Sequence, residues 1–143
     1  MAHNLAPYAL ERLGLAETLG EMIERVQRSS GITFTHELES MDGSLSRDLE
    51  VCLYRVAQEA INNIAKHSGA SAASMSLNRS ATGVRLVIAD NGRGFDVARP
   101  SQGMGLAAMA ERIRLFKGEY RVRSAEGKGT TIEINVGNGK YDA

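Results

Sequence analysis

The stretch Asp90-Asn91-Gly92-Arg93-Gly94-Phe95, followed after residues 96–102 by Gly103-Met104-Gly105-Leu106, decides how this chain is read. An apolar run (Val84, Leu86, Val87, Ile88) leads into Asp90, and a second apolar-periodic segment opens at Leu106. That order predicts a strand, a glycine-rich loop and a helix. Glycines reach positive φ without a Cβ penalty and let a ligand approach the backbone. A helix opening near Gly105 aims its unpaired N–H groups at an anion. The stretch reads as one side of a nucleotide or phosphate site.

Upstream, Ser46 with Asp48 in the first turn predicts the cap of the strongest helix, where Leu49, Cys52, Leu53, Val56, Ala60 and Ile64 fall at helical spacing. Glu59 and Asn63 are one turn apart and share a face. They form either a solvated polar stripe or an oxygen-rich pair suited to a hard cation such as Mg²⁺ or to orienting a phosphoryl acceptor. Lys66 and His67 end this helix near Ser68-Gly69, where positive charge complements the helix dipole. A lysine in that place also reaches a phosphate. The alternation of Ala73, Met75 and Leu77, the turn at Ala81-Thr82-Gly83 and the return from Val84 to Ala89 predict an antiparallel hairpin.

Nearer the N-terminus, Leu10, Leu13, Leu15, Leu19, Met22, Ile23 and Val26 predict one helix or two between Pro7 and Ser29, with a break at Leu13-Gly14-Leu15. Ile32 to Leu38 predicts a strand, with His36 read as a partly exposed edge-strand histidine rather than a metal ligand, because no carboxylate or cysteine spacing accompanies it. Met41-Asp42-Gly43-Ser44 predicts a turn. Downstream, Leu106, Met109, Ile113, Leu115 and Phe116 predict a helix that stops at Lys117-Gly118. Tyr120 with Val122, and Ile132 with Ile134 and Val136, predict two strands joined by Glu126-Gly127-Lys128-Gly129, before a disordered tail at residues 138–143. Strands in adjacent pairs, with helices between the pairs, predict an α+β fold. It is a two-layer α/β sandwich with a mixed, mostly antiparallel sheet and helices on one face.

With 143 residues, 43% of them hydrophobic, the chain supports one core. Seventeen basic residues balance seventeen acidic ones, so no broad field points to nucleic acid or an anionic membrane. Any anion site must be local. The lone Cys52 has no second cysteine for a disulfide or a metal pair and reads as a buried reduced thiol. No run of about 18 apolar residues and no signal-peptide pattern is present, so a cytoplasmic domain is expected. Asn78-Arg79-Ser80 matches a glycosylation sequon, a three-residue pattern common by chance.

Gly103-x-Gly105-x-x-Ala108 superficially matches a dinucleotide fingerprint, but a Rossmann loop follows its strand directly and this one does not. Gly127-Lys128-Gly129-Thr130 lacks the upstream glycine of a Walker P-loop. What remains is an ordered set: E-x-x-x-N on a helix, D-x-G-x-G after a strand, G-x-G opening a helix, and G-x-G-T entering the last strand. In that order the motifs resemble the Bergerat-type ATP-binding domain of histidine kinases, DNA gyrase B, Hsp90 and MutL, over residues 45 to 136. The run from Leu53 to Ser68, with Glu59, Asn63, Lys66 and His67, resembles the N box of nitrate-sensor-type histidine kinases. Asn4 to Leu15 resembles the end of their dimerisation helices.

The resemblance implies residues 1–14 as the end of a dimerisation helix and linker, and 15–137 as the ATP-binding catalytic domain. It implies ATP and Mg²⁺ as cofactors. Asp90 would accept a hydrogen bond from the adenine amino group, with Gly92, Gly94 and Phe95 around the base and Thr130 approaching it from the last strand. Asn63 would hold the metal, and Glu59 would orient the attacking group. Gly103, Met104, Gly105 and Leu106 would cradle the phosphates, with Lys66 and His67 near them. The implied partners are a histidine on the protein's own dimerisation domain and a response regulator with a helix-turn-helix output, without direct nucleic-acid binding. A monomer is expected for this chain and a homodimer for the longer protein, which is expected to be membrane-anchored. The histidine-plus-acid motif of the phosphoacceptor is absent, and His3, His36 and His67 do not fit it. Two alternatives remain open: a serine protein kinase of the anti-sigma-factor type, and a non-catalytic nucleotide-binding interaction module. The leucine-glycine-leucine connector argues against the first, and the full set of motifs against the second.

Overall fold

The computed structural model describes residues 5–41, 43–98 and 105–137. The expected tail at 138–143, Asp42 of the predicted turn, and Gly103 and Met104 lie outside the described residues. In chain order the elements are α1 (Leu5–Leu13), α2 (Leu15–Ser30), β1 (Thr33–Leu38), α3 (Arg47–Asn63), a π-helical turn (Ile64–Ser68), β2 (Ala72–Arg79), β3 (Gly83–Asp90), α4 (Leu106–Arg114), β4 (Glu119–Ser124) and β5 (Thr130–Gly137).

The break between α1 and α2 falls at Gly14, whose φ of 86° few side chains tolerate. Its carbonyl accepts from both the backbone N–H (3.1 Å) and the hydroxyl (2.7 Å) of Thr18, which starts the second helix. Leu10 of α1 and Leu15, Leu19, Met22 and Ile23 of α2 are buried. Gly31 closes α2 in the left-handed conformation, donating its N–H to the Gln27 carbonyl. Ser46 caps α3 as its sequence predicts, with Oγ accepting from the Leu49 N–H at 3.2 Å.

The sheet runs in the order β1-β2-β3-β5-β4. Only β1 pairs in parallel, with β2; every other pairing is antiparallel, which makes the sheet mixed. Ala73, Met75, Leu77, Val84, Leu86, Ile88, Ile132, Ile134 and Val136 alternate onto the buried face, and α3 lays Leu49, Leu53, Val56, Ala57, Ala60 and Ile61 on the same core. Each fully buried leucine or isoleucine contributes about 1.5–3 kcal/mol. The opposite face is polar: Glu133 pairs with Arg85 at 3.1 Å and accepts from Asn135. His36, opposite Met75 in register and so on the helix side of the sheet, is exposed on the edge strand. Two hydrogen bonds and the nearby arginines hold the Glu133 carboxyl below its ordinary range. Cys52 is buried and unoxidised, with Sγ 3.7 Å from the Arg112 carbonyl of α4, and burial pushes its thiol pKa up.

Three details depart from the sequence reading. The helical turns after Asn63 widen into a π-turn, which periodicity alone does not announce. The left-handed residue ending the α4 segment is Lys117 (φ 60°), not Gly118. Gly118 is needed for packing instead, since a Cβ there would stand 2.7 Å from a Val136 methyl and 2.9 Å from an Ile113 methyl. Leu115, counted in the apolar period, is 74% exposed, because the α-helix has already ended at Arg114.

Candidate functional site

Register places the site. Asp90, the last residue of β3, sits opposite Thr130, the first residue of β5, and opposite Ala73 of β2 on its other side. The Asp90 side chain stands at the end of the sheet where the glycine loop departs. Its Oδ1 accepts the Gly92 N–H at 2.7 Å, a local turn that keeps the carboxylate in place. Partial burial raises the Asp90 pKa, and the Gly92 hydrogen bond opposes the rise.

The loop after Asp90 is stitched to two other segments. Asn91 Oδ1 accepts from the backbone N–H groups of Ser71 and Ala72, both at 3.0 Å. The Arg93 N–H donates to the Ser68 carbonyl at 2.8 Å, and the Phe95 N–H donates to Ser124 Oγ at 2.9 Å. Ser124 Oγ lies 2.8 Å from Thr130 Oγ1 and 3.0 Å from the Gly129 carbonyl, so one hydroxyl gathers the loop and both final strands. Gly92 is buried against the Ser68 backbone, and a Cβ on Gly94 (φ 65°) would meet the Ala125 and Gly129 carbonyls. These two glycines are required by protein packing alone, independently of any ligand.

The result is a cleft of about 450 Å³, open mouth included, between the end of the sheet and α3. Ile88 and Ile132 are part of its apolar lining, along with Ala60 and Ile64 of the helix side. Of the residues singled out in the sequence, Asn63, His67, Asp90, Gly94, Phe95, Leu106 and Thr130 line this one cleft. Among the described lining residues Asp90 is the sole carboxylate. An apolar slot with a few convergent polar groups is the usual architecture of a small-molecule site.

The others are placed nearby. Glu59 is half-buried, and its carboxylate rests against Gly105, where a Cβ would stand 2.9 Å from Oε2. Gly105 is the cap of α4 in left-handed conformation (φ 68°, ψ 17°), so this corner joins the polar pair of α3 to a helix N-terminus. Lys66 is exposed and outside the cleft lining, whereas the π-turn brings the next residue, His67, to it. Gly103 and Met104 lie outside the described residues. Sequence reasoning missed Arg93 and Ser68, which also line the cleft. Arg93 was in plain view between two motif glycines. Ser68 gave no signal beyond marking a helix end.

Asn63 and Glu59 present an amide oxygen and a carboxylate one helical turn apart, a hard donor set suited to Mg²⁺, which needs only one or two protein oxygens and keeps several waters. No described helix is long and apolar enough to cross a membrane.

The family model of histidine kinase-, DNA gyrase B- and HSP90-like ATPases matches residues 48–138. The histidine-protein kinase/phosphatase DegS of Brevibacillus brevis is 33% identical over 135 residues, covering 94% of this chain and 35% of that protein. The sensor histidine kinase LiaS of Bacillus subtilis is 35% identical over 134 residues, covering 93% and 37% respectively. The chain thus spans about a third of the length of these curated relatives. Among solved structures, a blue-light activated histidine kinase of Erythrobacter litoralis superposes with a TM-score of 0.75 at 14% identity, over 88% of this chain and 42% of that one. The mycobacterial sensor histidine kinase MprB gives 0.64 at 23% identity, over 86% and 93%. At these identities the structural likeness speaks to the fold.

Proposed function

The chain belongs to the family of histidine kinase-, DNA gyrase B- and HSP90-like ATPases, and from that premise we propose that it is the Mg-ATP-binding catalytic domain of a sensor histidine kinase of the nitrate-sensor type. The observation that carries this reading is the meeting of Asp90, Thr130 and Asn63 in one cleft, although they come from β3, β5 and α3. Residues 15–137 are the catalytic domain in this reading, and 1–14 the end of the dimerisation helix with its linker. The longer protein is a membrane-anchored homodimer with this domain on the cytoplasmic side. Its activity is transfer of a phosphoryl group to a histidine of the dimerisation domain, and from there to a response regulator carrying a helix-turn-helix output.

Each side chain then has a task. Asp90, ionised, accepts a hydrogen bond from the adenine amino group, and the Gly92 N–H occupies Oδ1. Thr130 borders the base from the neighbouring strand, and Ile88 and Ile132 exclude water beneath it. Asn63 holds Mg²⁺ through its amide oxygen. Glu59 orients the acceptor, and Gly103 and Gly105 offer backbone N–H groups to the phosphates, with Lys66 and His67 alongside. Mg-ATP, when bound, supplies the γ-phosphoryl group and a cation that neutralises developing charge. The protein's contribution is positioning and electrostatic preorganisation.

Isothermal titration with a non-hydrolysable ATP analogue and Mg²⁺ tests the binding claim. Wild type binds and Asp90→Asn does not; absence of heat from the wild type, or an unchanged signal from Asp90→Asn, refutes it. Incubation with labelled ATP and a separate histidine-bearing dimerisation fragment tests the transfer. Acid-labile phosphate on the fragment is expected, and acid-stable phosphate would instead indicate a serine kinase.

A further inference from the structure

We propose that the outer edge of β1, with the face of α2 beside it, is a docking site for an extended basic segment of a partner protein, which joins the five-stranded sheet as a further strand. The site is separate from the nucleotide cleft, and the two share no described lining residue.

Register identifies the backbone groups of β1 that face away from the sheet. The Thr33 N–H donates to the Ser71 carbonyl at the foot of β2, and the Glu39 N–H donates to the Leu77 carbonyl within it. The parallel register runs unbroken from Thr33↔Ala72 to Leu38↔Leu77. Odd-numbered residues of β1 therefore bond to β2, and even-numbered ones turn both N–H and C=O outward. Phe34 obeys this parity, since its N–H is taken from the outer side by Gln27 Oε1 of α2 at 2.7 Å. Among the described residues nothing takes the outward N–H of His36 or Leu38. β1 contains no proline, lysine or bulge, the usual devices that blunt a sheet edge.

A groove of about 1080 Å³, open mouth included, runs between α2 and this edge. Glu17, Gly20, Glu21 and Glu24 line its helix side, and His36 and Leu38 its strand side. Gly20 leaves the floor uncovered above Leu38, where a Cβ would stand 3.7 Å from Leu38 Cδ1. His36 and Leu38 point to the helix side of the sheet, opposite Met75 and Leu77 in register. An added strand therefore presents every second side chain to the groove, over the glutamates of α2.

Charge selects the occupant. Glu17, Glu21 and Glu24 are exposed, and no lysine or arginine lines the groove with them. None of the three carboxylates has an ion pair or hydrogen bond among the described residues. Spacings of four and three put them on one helix face, neighbours being about 5–6 Å apart. Same-face side chains of a strand recur about every 6.5–7 Å, so lysine or arginine at alternate positions meets successive glutamates. Main-chain bonds to His36 and Leu38 hold the strand, and the glutamates choose it, the division of labour expected of strand addition. An acidic segment is repelled by the same charges. The opposite edge, β4, carries exposed Arg121 and Arg123 and disfavours a basic strand.

The test is fluorescence anisotropy with two labelled peptides of about eight residues, one alternating lysine with valine and one alternating glutamate with valine. They are titrated with wild type, with His36→Pro, and with a triple variant in which Glu17, Glu21 and Glu24 are each replaced by glutamine. Proline at position 36 removes an outward N–H and leaves every bond to β2 in place. The lysine peptide is expected to bind wild type, and its affinity to fall about tenfold in His36→Pro and by a similar factor in the triple variant. The glutamate peptide is expected not to bind. Equal affinity of wild type and His36→Pro for the lysine peptide overturns strand addition, and equal affinity of wild type and the triple variant overturns the role of the glutamates. Absence of lysine-peptide binding to wild type, or equal binding of the two peptides, overturns the proposal as a whole. So does a concentration-dependent dimer of wild type that His36→Pro abolishes, which would assign the edge to a second copy of this chain. If circular dichroism shows His36→Pro unfolded, hydrogen exchange of wild type with and without the lysine peptide decides. Slower exchange at the His36 and Leu38 amides is expected, and unchanged exchange there overturns the site.

Discussion

The carboxylate of Glu59 lies against the α-carbon of Gly105: a methyl built on that glycine would stand 2.9 Å from Glu59 Oε2 and 3.0 Å from Cδ. The negative group of α3 thus sits at the positive end of α4, where no side chain of its own caps the helix. Gly105→Ala is expected to cost about 1–2 kcal/mol for the left-handed backbone alone. The contact with Glu59 adds to this only as far as that flexible side chain cannot swing away. Urea unfolding of Gly105→Ala, Glu59→Ala and the double variant checks it. The double variant should be more stable than the sum of the singles predicts, and strict additivity would mean that the two residues do not feel one another.

Asp90 illustrates a site that costs stability. Burial raises its pKa above the ordinary aspartate value of 3.8. A raised carboxyl pKa means that the folded state holds its proton to higher pH than the unfolded chain does. Its favourable contribution is therefore complete below 3.8 and is lost as pH climbs through the folded-state value. Asp90→Asn should show a higher urea midpoint than wild type at neutral pH, a difference that fades toward pH 3, while nucleotide binding is lost. Equal midpoints across that range would show that the carboxylate is not strained.

The glycines of the site differ in what they protect. Gly94 and Gly127 both have positive φ, 65° and 78°, but a Cβ on Gly94 would meet two backbone carbonyls, whereas nothing lies within 4 Å at Gly127. Backbone cannot rotate out of the way as a side chain can. Gly94→Ala should cost about 2–4 kcal/mol from conformational strain plus overpacking, and Gly127→Ala only about 1–2 kcal/mol. Thermal or urea denaturation of the two variants side by side is the measurement. Similar losses would refute the packing role given to Gly94.

Tyr120, on β4, has a buried hydroxyl without a hydrogen-bond partner among the described residues, and burial pushes its pKa up to about 12. An unsatisfied buried hydroxyl costs on the order of 1–3 kcal/mol. Tyr120→Phe is expected to stabilise the protein by about 1 kcal/mol, read as an increase in Tm with nucleotide binding unchanged. A loss of stability would reveal that the hydroxyl is bonded after all, for instance to a water.

Several features needed nothing beyond the sequence. Ser46 as a cap, Gly14 as the break between two helices, the hairpin of β2 and β3, and the alternation that selects the buried face of each strand are properties of short windows, where neighbours in sequence are neighbours in space. The ordered motifs around Glu59, Asn63, Asp90 and Thr130 likewise pointed to one site. Only the tertiary structure decided how those pieces meet. The insertion of β5 between β3 and β4 sets Thr130 beside Asp90, a pairing across forty residues that no local pattern encodes. The π-turn brought His67 rather than Lys66 to the cleft, and the left-handed turn fell at Lys117 while Gly118 packs against Val136 and Ile113. Side-chain periodicity reports which face is buried; it carries no information on which distant backbone will fill the space where a Cβ would have been.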